Sequence, residues 1–353
     1  MGIKELLQYT ANQKASDLHL IVGSPPFLRI NGKLIAVPNE HKLTGDDIDK
    51  FAQDTLTADQ YQRLTVNKEL DFSLAFGDEV RFRVNAYTQK GTLSMSFRTI
   101  PLEIPEIDDL GLPKIVHSFT NLRQGFILIT GPTGHGKSTT LASILNEINT
   151  IRSEHIITIE DPIEFVFKPK NSLISQREMG NDTHSWQIAL RSALREDPDV
   201  VLVGEMRDFE TIAAALTVAE TGHLVFATLH TNSAAQTIDR IVDVFPDEQQ
   251  KQVRLQLSNV LEAVFSMRLI PSTDGGRVVA HEVMLGTSAV KTSIRDGKTH
   301  QIDNIIQTST DMGMNTLEMS LANRVKEGSV KIETAQAYSL RPDELSRLIR
   351  PSK

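Results

Sequence analysis

The stretch Gly125–Asn149, GFILITGPTGHGKSTTLASILNEIN, decides the fold of this chain. It begins with an apolar run that predicts a strand, continues through a turn with the spacing G-x-x-x-x-G-K-[ST], and ends in residues that predict a helix. Glycines allow the tight turn in which successive backbone N–H groups point at phosphate oxygens, and the helix N-terminus adds partial positive charge. We therefore expect a phosphate-binding loop here rather than a plain strand-to-helix turn.

Two side chains of this loop have predicted roles toward ATP. Lys137 would reach the β- and γ-phosphates, and Ser138 would hold Mg²⁺. His135 stands at a variable position of the motif, so we interpret it as tolerated there and not catalytic. The predicted nucleotide-binding residues are Gly131, Pro132, Thr133, Gly134, His135, Gly136, Lys137, Ser138 and Thr139.

Composition limits the class of protein. A chain of 353 residues is long enough for about two domains, and its 40% apolar and 23% charged residues are typical of a soluble globular protein. The absence of cysteine excludes disulfides, cysteine-ligated zinc and iron–sulfur clusters, and fits a cytoplasmic protein. The net charge of −8 gives no global support for nucleic-acid binding. We expect neither a signal peptide nor a membrane-spanning segment.

Three regions of the chain differ in their patterning. Residues 1–99 mix helices with antiparallel strand patterns, which predicts an α+β domain. Residues 100–113 contain three prolines and several acids and are predicted to be a linker. Residues 114–353 alternate strands with helices, which predicts an α/β fold with a mostly parallel, doubly wound sheet.

Individual elements are predicted within these regions. In the first region we expect one helix running from Thr44 towards Leu64, and strands at residues 69–76, 79–88 and 92–99. In the last region we expect strands at 126–130, 155–160, 200–203 and 224–228. After Ser233 the pattern is chiefly helical, apart from a strand near 278–285.

An acidic stretch follows the predicted strand 155–160. It contains Glu160, Asp161 and Glu164, whose carboxylate oxygens suit Mg²⁺ and its bound water. Open α/β sheets bind ligands where their strands end, which favours a functional role at this position. The structural alternative is an acidic loop that is merely solvated.

A second acidic stretch, Asp199–Asp208, places a glutamate after an apolar strand. Gly204 replaces the aspartate that usually ends this strand in phosphate-loop proteins, so we assign to Glu205 the role of polarising the attacking water. The alternative is that Glu205 caps the helix that begins near Asp208.

Histidines flank the predicted strand 224–228. His223 and His230 could sense the γ-phosphate or relay its state to a neighbouring subunit. For each of them, the alternative is a hydrogen-bonded histidine of the core.

Hydrolysis also requires a positive charge that stabilises the transition state. The first region offers Arg81, Arg83 and Arg98 on adjacent strand patterns. Arg81 and Arg83 share one face, because side chains two apart in a strand point the same way. The structural alternative is that these are exposed strand arginines, and we expect this of at least one.

Together these motifs resemble the secretion ATPase superfamily of type II secretion and type IV pilus motors, and within it most of all the pilus retraction ATPases. The resemblance extends over nearly the whole chain. Its most specific parts are, in order, Arg81–Ala86, Phe97–Pro101, Gly131–Thr140, Ile157–Phe165, Ala193–Asp199, Val203–Asp208 and Glu220–His230.

The resemblance implies a fold and a set of site residues. The fold is a RecA-like P-loop ATPase core with a helical C-terminal part, preceded by an N-terminal PAS-like α+β domain. The family's motifs place Lys137 in the Walker A box and Glu205, as catalytic glutamate, in the Walker B box. The Asp box falls on Glu160–Glu164 and the His box on His223–His230. The expected catalytic residues are Lys137, Glu164, Glu205, Arg83 and Arg98, the two arginines reaching the nucleotide when the domains close.

The resemblance also implies cofactors, partners and a location. The cofactors are ATP and Mg²⁺. The partners are five further copies in a homo-hexamer, an inner-membrane pilus platform protein and a second retraction ATPase, with no nucleic acid. The location is the cytoplasm, at the inner face of the cytoplasmic membrane. The function implied is a motor that powers pilus retraction and twitching motility.

One motif departs from the pattern of retraction motors. They usually carry a sequence close to AIRNLI in the C-terminal helices, whereas residues 289–294 read AVKTSI. Because that motif is tied to retraction rather than to hydrolysis, the ATPase expectation stands and an accessory retraction paralogue is an alternative. Pilus assembly and type II secretion ATPases often carry a four-cysteine zinc module, and the absence of cysteine argues against them.

The hypothesis for the mechanism is a cycle of domain closure. Closure would bring the arginines to the γ-phosphate, hydrolysis assisted by Glu205 and Mg²⁺ would reopen the domains, and residues 100–113 would be the hinge.

Two alternative functions come from other classes of protein. The acidic charge argues against a nucleic-acid translocase, and the intact Lys137, Ser138 and Glu205 argue against a nucleotide-gated scaffold without turnover.

Overall fold

The chain folds into two compact units. The computed structural model describes residues 1–77, 80–100 and 103–350. The first unit comprises Met1–Glu103 together with Pro162–Val166, and the second comprises Ile104–Asp161 and the chain from Phe167 onward. The domain boundaries at 1–99, 100–113 and 114–353 stay a prediction. The start of the predicted strand 79–88 and two residues of the predicted linker, Pro101 and Leu102, lie outside the described residues.

The first unit is an α+β fold. Its elements are α1 (Ile3–Asn12), β1 (Asp17–Ile21), β2 (Phe27–Ile30), β3 (Lys33–Ala36), α2 (Gly45–Thr55), α3 (Ala58–Asn67), β4 (Glu69–Phe76), β5 (Val80–Gln89) and β6 (Thr92–Ile100). The strands form one six-stranded antiparallel sheet in the order β3-β2-β1-β6-β5-β4.

The core of this unit follows from the two-residue period of its strands. In β5, Phe82, Val84 and Ala86 are fully buried, while the residues between them are half-buried on the opposite face. Phe82 packs edge-to-face against Phe97 of β6, with ring centroids 6.3 Å apart. The same alternation places the strand arginines away from the hydrophobic core.

The prediction of a single helix from Thr44 towards Leu64 is wrong, because the chain forms two helices there. Thr57 begins the second helix with a capping box. Its hydroxyl accepts from the N–H of Gln60 at 3.3 Å, and the Gln60 amide oxygen accepts from the N–H of Thr57 at 3.0 Å. The apolar periodicity continues across this break, which is why the pattern alone indicated one helix.

The second unit contains one seven-stranded sheet and a set of helices that connect and follow its strands. Its elements are α4 (Ile115–Phe119), β7 (Gly125–Thr130), α5 (Lys137–Ile151), β8 (His155–Glu160), β9 (Leu173–Glu178), α6 (Trp186–Ala193), β10 (Val200–Val203), α7 (Phe209–Glu220), β11 (Leu224–Leu229), α8 (Ala234–Asp243), α9 (Asp247–Val260), β12 (Leu261–Pro271), β13 (Arg277–Leu285), α10 (Ser288–Arg295), α11 (Ile302–Thr308), α12 (Leu317–Lys326), α13 (Ile332–Tyr338) and α14 (Pro342–Ile349).

The strand order of this sheet is β13-β12-β7-β11-β10-β8-β9, and only β13 is antiparallel to its neighbour. Every residue of β7, β10 and β11 is buried, as expected for parallel strands covered on both faces. The predicted α/β fold class is confirmed. None of the helices in the described part of the chain is both long and apolar enough to cross a membrane.

Two strands of the sheet were not predicted. The region after Ser233 was expected to be helical up to residue 278, yet β12 (Leu261–Pro271) lies in the sheet between β13 and β7. Five successive residues of β12, from Ala263 to Met267, are all buried, so this part of the sequence lacks the alternation that marks a strand. The strand β9 is an edge strand of mixed polarity and gives an equally weak pattern.

We expect the substitution Phe82→Ala to lower the free energy of unfolding of the first unit by about 3–5 kcal/mol, because it removes a fully buried ring and its aromatic contact. Urea unfolding followed by circular dichroism measures the change. The control is Val66→Ala in the same unit, where the side chain is 72% exposed. Equal stabilities of the two variants would contradict this account of the core.

Candidate active site

Four parallel strands bring four loops to one edge of the sheet. Strands β7, β11, β10 and β8 lie side by side in this order, so their carboxyl ends meet. The loops that follow them contain the phosphate loop, His230, Glu205 and the residues after Glu160, respectively. These residues are far apart in the sequence, and the fold gathers them at the edge where open α/β sheets bind ligands.

The phosphate loop requires glycine where it leaves β7. Gly131 has a φ of +140°, and a Cβ there would lie 2.2 Å from the carbonyl oxygen of Met267 in β12. Gly136, with a φ of +92°, is the N-cap of α5. Between them the loop turns through Pro132, Thr133, Gly134 and His135, and Lys137, Ser138 and Thr139 form the first turn of α5. Close packing against β12 therefore fixes the start of the loop.

Lys137 is the buried cation of the loop. It is 8% exposed, and its ammonium group donates to the carbonyl oxygens of Gly131, at 2.8 Å, and Pro132, at 3.0 Å. Burial lowers the pKa of Lys137, and the negative charge of Glu205 acts in the opposite direction. The two groups with predicted roles in phosphate chemistry are therefore electrostatically coupled in the fold.

His230 connects these two groups. Its Nε2 lies 3.0 Å from a carboxylate oxygen of Glu205, and its Nδ1 lies 3.3 Å from both Lys137 Nζ and Thr133 Oγ1. Because an ammonium group can only donate, we assign Nδ1 as the acceptor from Lys137. The proton of the neutral ring then lies on Nε2, which donates to Glu205.

Glu205 is held in its ionised form. Its second carboxylate oxygen accepts from the guanidinium of Arg207 at 2.9 Å. Burial raises the pKa of Glu205, but the hydrogen bond from Arg207, the neighbouring His230 and the positive charges of Arg207 and Lys137 outweigh burial and leave the pKa below its usual value. Glu205 does not cap α7, because Asp208 does so by accepting from the N–H of Thr211 at 2.8 Å.

The end of β8 explains why glycine occupies position 204. The carboxylate of Glu160, which is 8% exposed, accepts from Thr158 Oγ1 at 2.7 Å and from Gln176 Nε2 at 3.3 Å. A Cβ on Gly204 would lie 3.2 Å from the Glu160 Cα. The close approach of β10 and β8 thus favours glycine where an aspartate is usual, and Asp161 follows as an exposed charge.

The residues present fit a magnesium ion that arrives with a nucleotide. Mg²⁺ is usually bound by one or two protein groups together with phosphate oxygens and water. In residues 1–77, 80–100 and 103–350, no group of three or more acidic or histidine side chains could hold a metal ion. Ser138, exposed in the first turn of α5, offers the single hydroxyl that such an ion needs.

The structure does not bring His223 to the phosphate loop of its own chain. This residue precedes the first residue of β11, whereas His230 follows the last, and the six residues between span about 20 Å. His223 Nδ1 lies 3.0 Å from the carbonyl oxygen of Val218 and 3.0 Å from the hydroxyl of Thr221. A role of His223 toward a neighbouring subunit stays a prediction.

The predicted arginines are paired within the first unit. Arg83 lies opposite Arg98 in the register of β5 and β6, and its guanidinium is 3.5 Å from the carboxylate of Glu164. Arg98 Nε donates to Asp17 at 2.9 Å, yet the Arg98 side chain is 70% exposed. Arg81 donates to a hydroxyl group of β4 at 2.6 Å. Arg83 and Arg98 therefore present charge on one face of the sheet.

Arg207 is a site residue that the sequence analysis missed. Its side chain is 72% exposed, and its guanidinium contacts the carboxylate of Glu205 at 2.9 Å. The feature of the sequence that could have indicated Arg207 as a site residue is its position two residues after Glu205, on the same loop. The order of residues in the loop did not reveal that the two side chains pair.

Comparison with known proteins agrees with this arrangement. The family described as "Type II/IV secretion system protein" matches residues 2–337. The chain belongs to this family. The resemblance inferred from the motifs is therefore confirmed.

Relatives within the type II/IV secretion family match almost the full chain. The "Type IV pilus retractation ATPase PilT" of Pseudomonas aeruginosa is 47% identical over 346 residues, which are 97% of this chain and 99% of the relative. The "Twitching motility protein" of Neisseria gonorrhoeae is 43% identical and covers 98% of this chain and 92% of its own length. The crystal structure of "the Pilus Retraction Motor PilT and Bound ADP" is 46% identical, covers 98% of this chain and 99% of its own, and superposes with a TM-score of 0.92.

We expect Gly131→Ala to abolish nucleotide binding or to destabilise the second unit, because the new methyl group would overlap the Met267 carbonyl oxygen. Binding of a fluorescent ATP analogue and thermal unfolding would measure the two effects. The matched change Gly276→Ala, where a Cβ meets nothing nearer than 3.8 Å, should leave both unchanged. Wild-type binding and stability in Gly131→Ala would refute the packing argument.

Proposed function

We propose that this chain is an ATP-hydrolysing motor that powers type IV pilus retraction and twitching motility. One observation carries the proposal: the imidazole of His230 lies between the ionised Glu205 and Lys137 of the phosphate loop. A loop that only bound nucleotide would not need an ionised carboxylate held beside it. The names of the relatives, a pilus retraction ATPase and a twitching motility protein, support the biological role.

Each part of the site has a role in the proposed hydrolysis. The backbone N–H groups of the loop and Lys137 would bind the phosphates, and Ser138 would hold Mg²⁺, which would supply charge neutralisation at the phosphate oxygens. Glu205 polarises the attacking water, since an ionised carboxylate can accept a proton from it. The N–H of His230 holds Glu205 in place. The carboxylates of Glu160, Asp161 and Glu164 would supply oxygens for the water that such an ion binds.

Arg83 and Arg98 are proposed to supply the positive charge that stabilises the transition state. Their pairing with Glu164 and Asp17 supports this role, because ion pairs at 3.5 Å and 2.9 Å hold the two guanidinium groups in place. Arg98 remains largely exposed in its pair, so its charge is accessible to a ligand.

The proposed assembly is a homo-hexamer that acts with ATP and Mg²⁺. It works in the cytoplasm at the inner face of the cytoplasmic membrane, where it drives a pilus platform protein and cooperates with a second retraction ATPase. Full-length similarity to pilus retraction proteins supports this setting. A net charge of −8 argues against nucleic acid as the partner, and stimulation of hydrolysis by single-stranded DNA would favour the translocase alternative.

The altered motif at residues 289–294 keeps the physical character of a packed, cationic helix. In α10, Val290 and Ile294 are fully buried one turn apart, and Lys291 donates to Glu262 at 2.9 Å. The apolar side chains at 290 and 294 and the cation at 291 therefore remain where AIRNLI would place them, whereas the buried Ser293 stands in place of its leucine. We favour the retraction motor over the accessory paralogue on this ground.

We expect Glu205→Gln to reduce ATP hydrolysis by about 10²- to 10⁴-fold while ATP binding is retained, because the amide cannot accept the proton of the water. A phosphate-release assay and nucleotide binding measure the two properties. The matched change Glu248→Gln, in the exposed first turn of α9, should have no effect on either. Hydrolysis by Glu205→Gln at the wild-type rate would refute the assignment of Glu205. Absence of turnover in the wild-type protein would favour the nucleotide-gated scaffold.

Deletion of the gene is expected to give hyperpiliated cells that do not twitch, because pili would be assembled but not withdrawn. Electron microscopy of surface pili and a motility assay measure the outcome. Wild-type protein supplied in trans should restore motility, and the Glu205→Gln protein should not. Cells without pili would indicate an assembly motor instead, and piliation with normal twitching would indicate an accessory role.

A further inference from the structure

The phosphate loop packs against an edge of β12 that is not paired with β7. Strand β12 pairs with β7 only as far as Ser266, opposite Thr130, and then continues to Pro271 with a partner strand on its other side alone, β13. The loop follows this uncovered edge. A Cβ on Gly136 would lie 3.2 Å from the Met267 side chain and 3.5 Å from that of Leu269. Residues 267–269 are therefore the surface on which the loop packs.

His135 makes the hydrogen bond that joins the two segments. The backbone N–H of Leu269 donates to His135 Nδ1 at 3.0 Å. A backbone N–H beyond the end of a neighbouring strand needs an acceptor from elsewhere, and here the imidazole supplies it. Two weaker contacts lie on either side: Thr140 Oγ1 with Met267 Sδ at 3.3 Å, and Arg277 with the Gly134 carbonyl oxygen at 3.5 Å.

The bond requires a neutral imidazole, since a protonated Nδ1 cannot accept. Burial lowers the pKa of His135, and the positive charges of Arg268, Lys137 and Arg277 lower it further. The charged groups that act on this ring are thus cations from β12, α5 and β13. Near neutral pH the ring carries its single proton on Nε2 and leaves Nδ1 free to accept from Leu269.

We propose that His135 is a positioning residue for ATP, which ties the Gly134–Gly136 turn to β12 and so keeps the loop N–H groups aimed at the phosphates. The inference rests on the proposed function, since it takes ATP as the ligand of the loop. His135 touches no reacting atom in this role and acts through the backbone. Loss of the bond leaves the turn held against β12 and β13 by the close packing at Gly131 and Gly136 and by the two weaker contacts, so nucleotide affinity falls while the chemical step is preserved.

The test compares two substitutions of His135. His135→Asn keeps an acceptor, because the asparagine Oδ1 occupies the place of Nδ1, whereas His135→Leu removes the acceptor and keeps an apolar side chain of similar bulk. We expect His135→Leu to raise KM for ATP about 3- to 10-fold with kcat nearly unchanged, the fold-change that one neutral hydrogen bond corresponds to. His135→Asn should stay within about twofold of wild type. The control is His300→Leu, at an exposed histidine.

A pH profile provides a second, independent readout. The pKa of His135 is lowered from its ordinary value, so protonation, and with it loss of the Leu269 bond, occurs as the solution becomes acidic. KM of the wild type should rise on the acidic side, and this rise should be smaller in His135→Asn, which has no proton to gain. The comparison of the wild type with His135→Asn tests the positioning role of His135 even if His135→Leu does not fold.

Two results would overturn the inference while leaving the ATPase function intact. One is equal KM for ATP in the wild type, His135→Leu and His135→Asn. The other is the same acidic rise of KM in the wild type and His135→Asn. Failure of the proposed function would look different, because the wild-type protein itself would then neither bind ATP nor release phosphate.

Discussion

The arrangement of the candidate active site depends on one imidazole ring, that of His230, which lies between a carboxylate and an ammonium group. Glu205 and Lys137 come from loops after different strands, and neither makes a direct hydrogen bond to the other in the described structure. The ring gives each a partner at about hydrogen-bond distance and fixes its own tautomer in doing so. Charges held at fixed positions stabilise a transition state without the cost of reorganising water around them.

The sheet beneath this ring sets the positions of the loops. Parallel strands β7, β11 and β10 end at one edge, so the residues that follow them are neighbours although up to 97 positions apart in sequence, as for Thr133 and His230. Strand β12 adds the support on the far side of the phosphate loop, through the close approach at Gly131 and the hydrogen bond to His135. A change in β12 would therefore alter nucleotide binding without touching the nucleotide.

Much of the fold and most of the site could be predicted from the residues alone. The phosphate loop is a local motif, and the strand before it and helix after it are signalled by local patterning, so their positions were predictable. The strand β12 and the break at Thr57 were not predicted. Burial on both faces removes the alternation of a strand, and a capping box can interrupt a periodic apolar pattern without changing it.

The sequence by itself determined which residues are candidates for the chemistry: a lysine and a serine after a glycine turn, a glutamate after an apolar strand, and histidines on both sides of another. Only the tertiary structure decided which of them meet. It placed His230 against Glu205 and put His223 at the opposite end of the same strand, and it gave His135 a backbone partner 134 residues away. The physical reason is that such contacts depend on strand order and on where each strand ends, which no local pattern encodes.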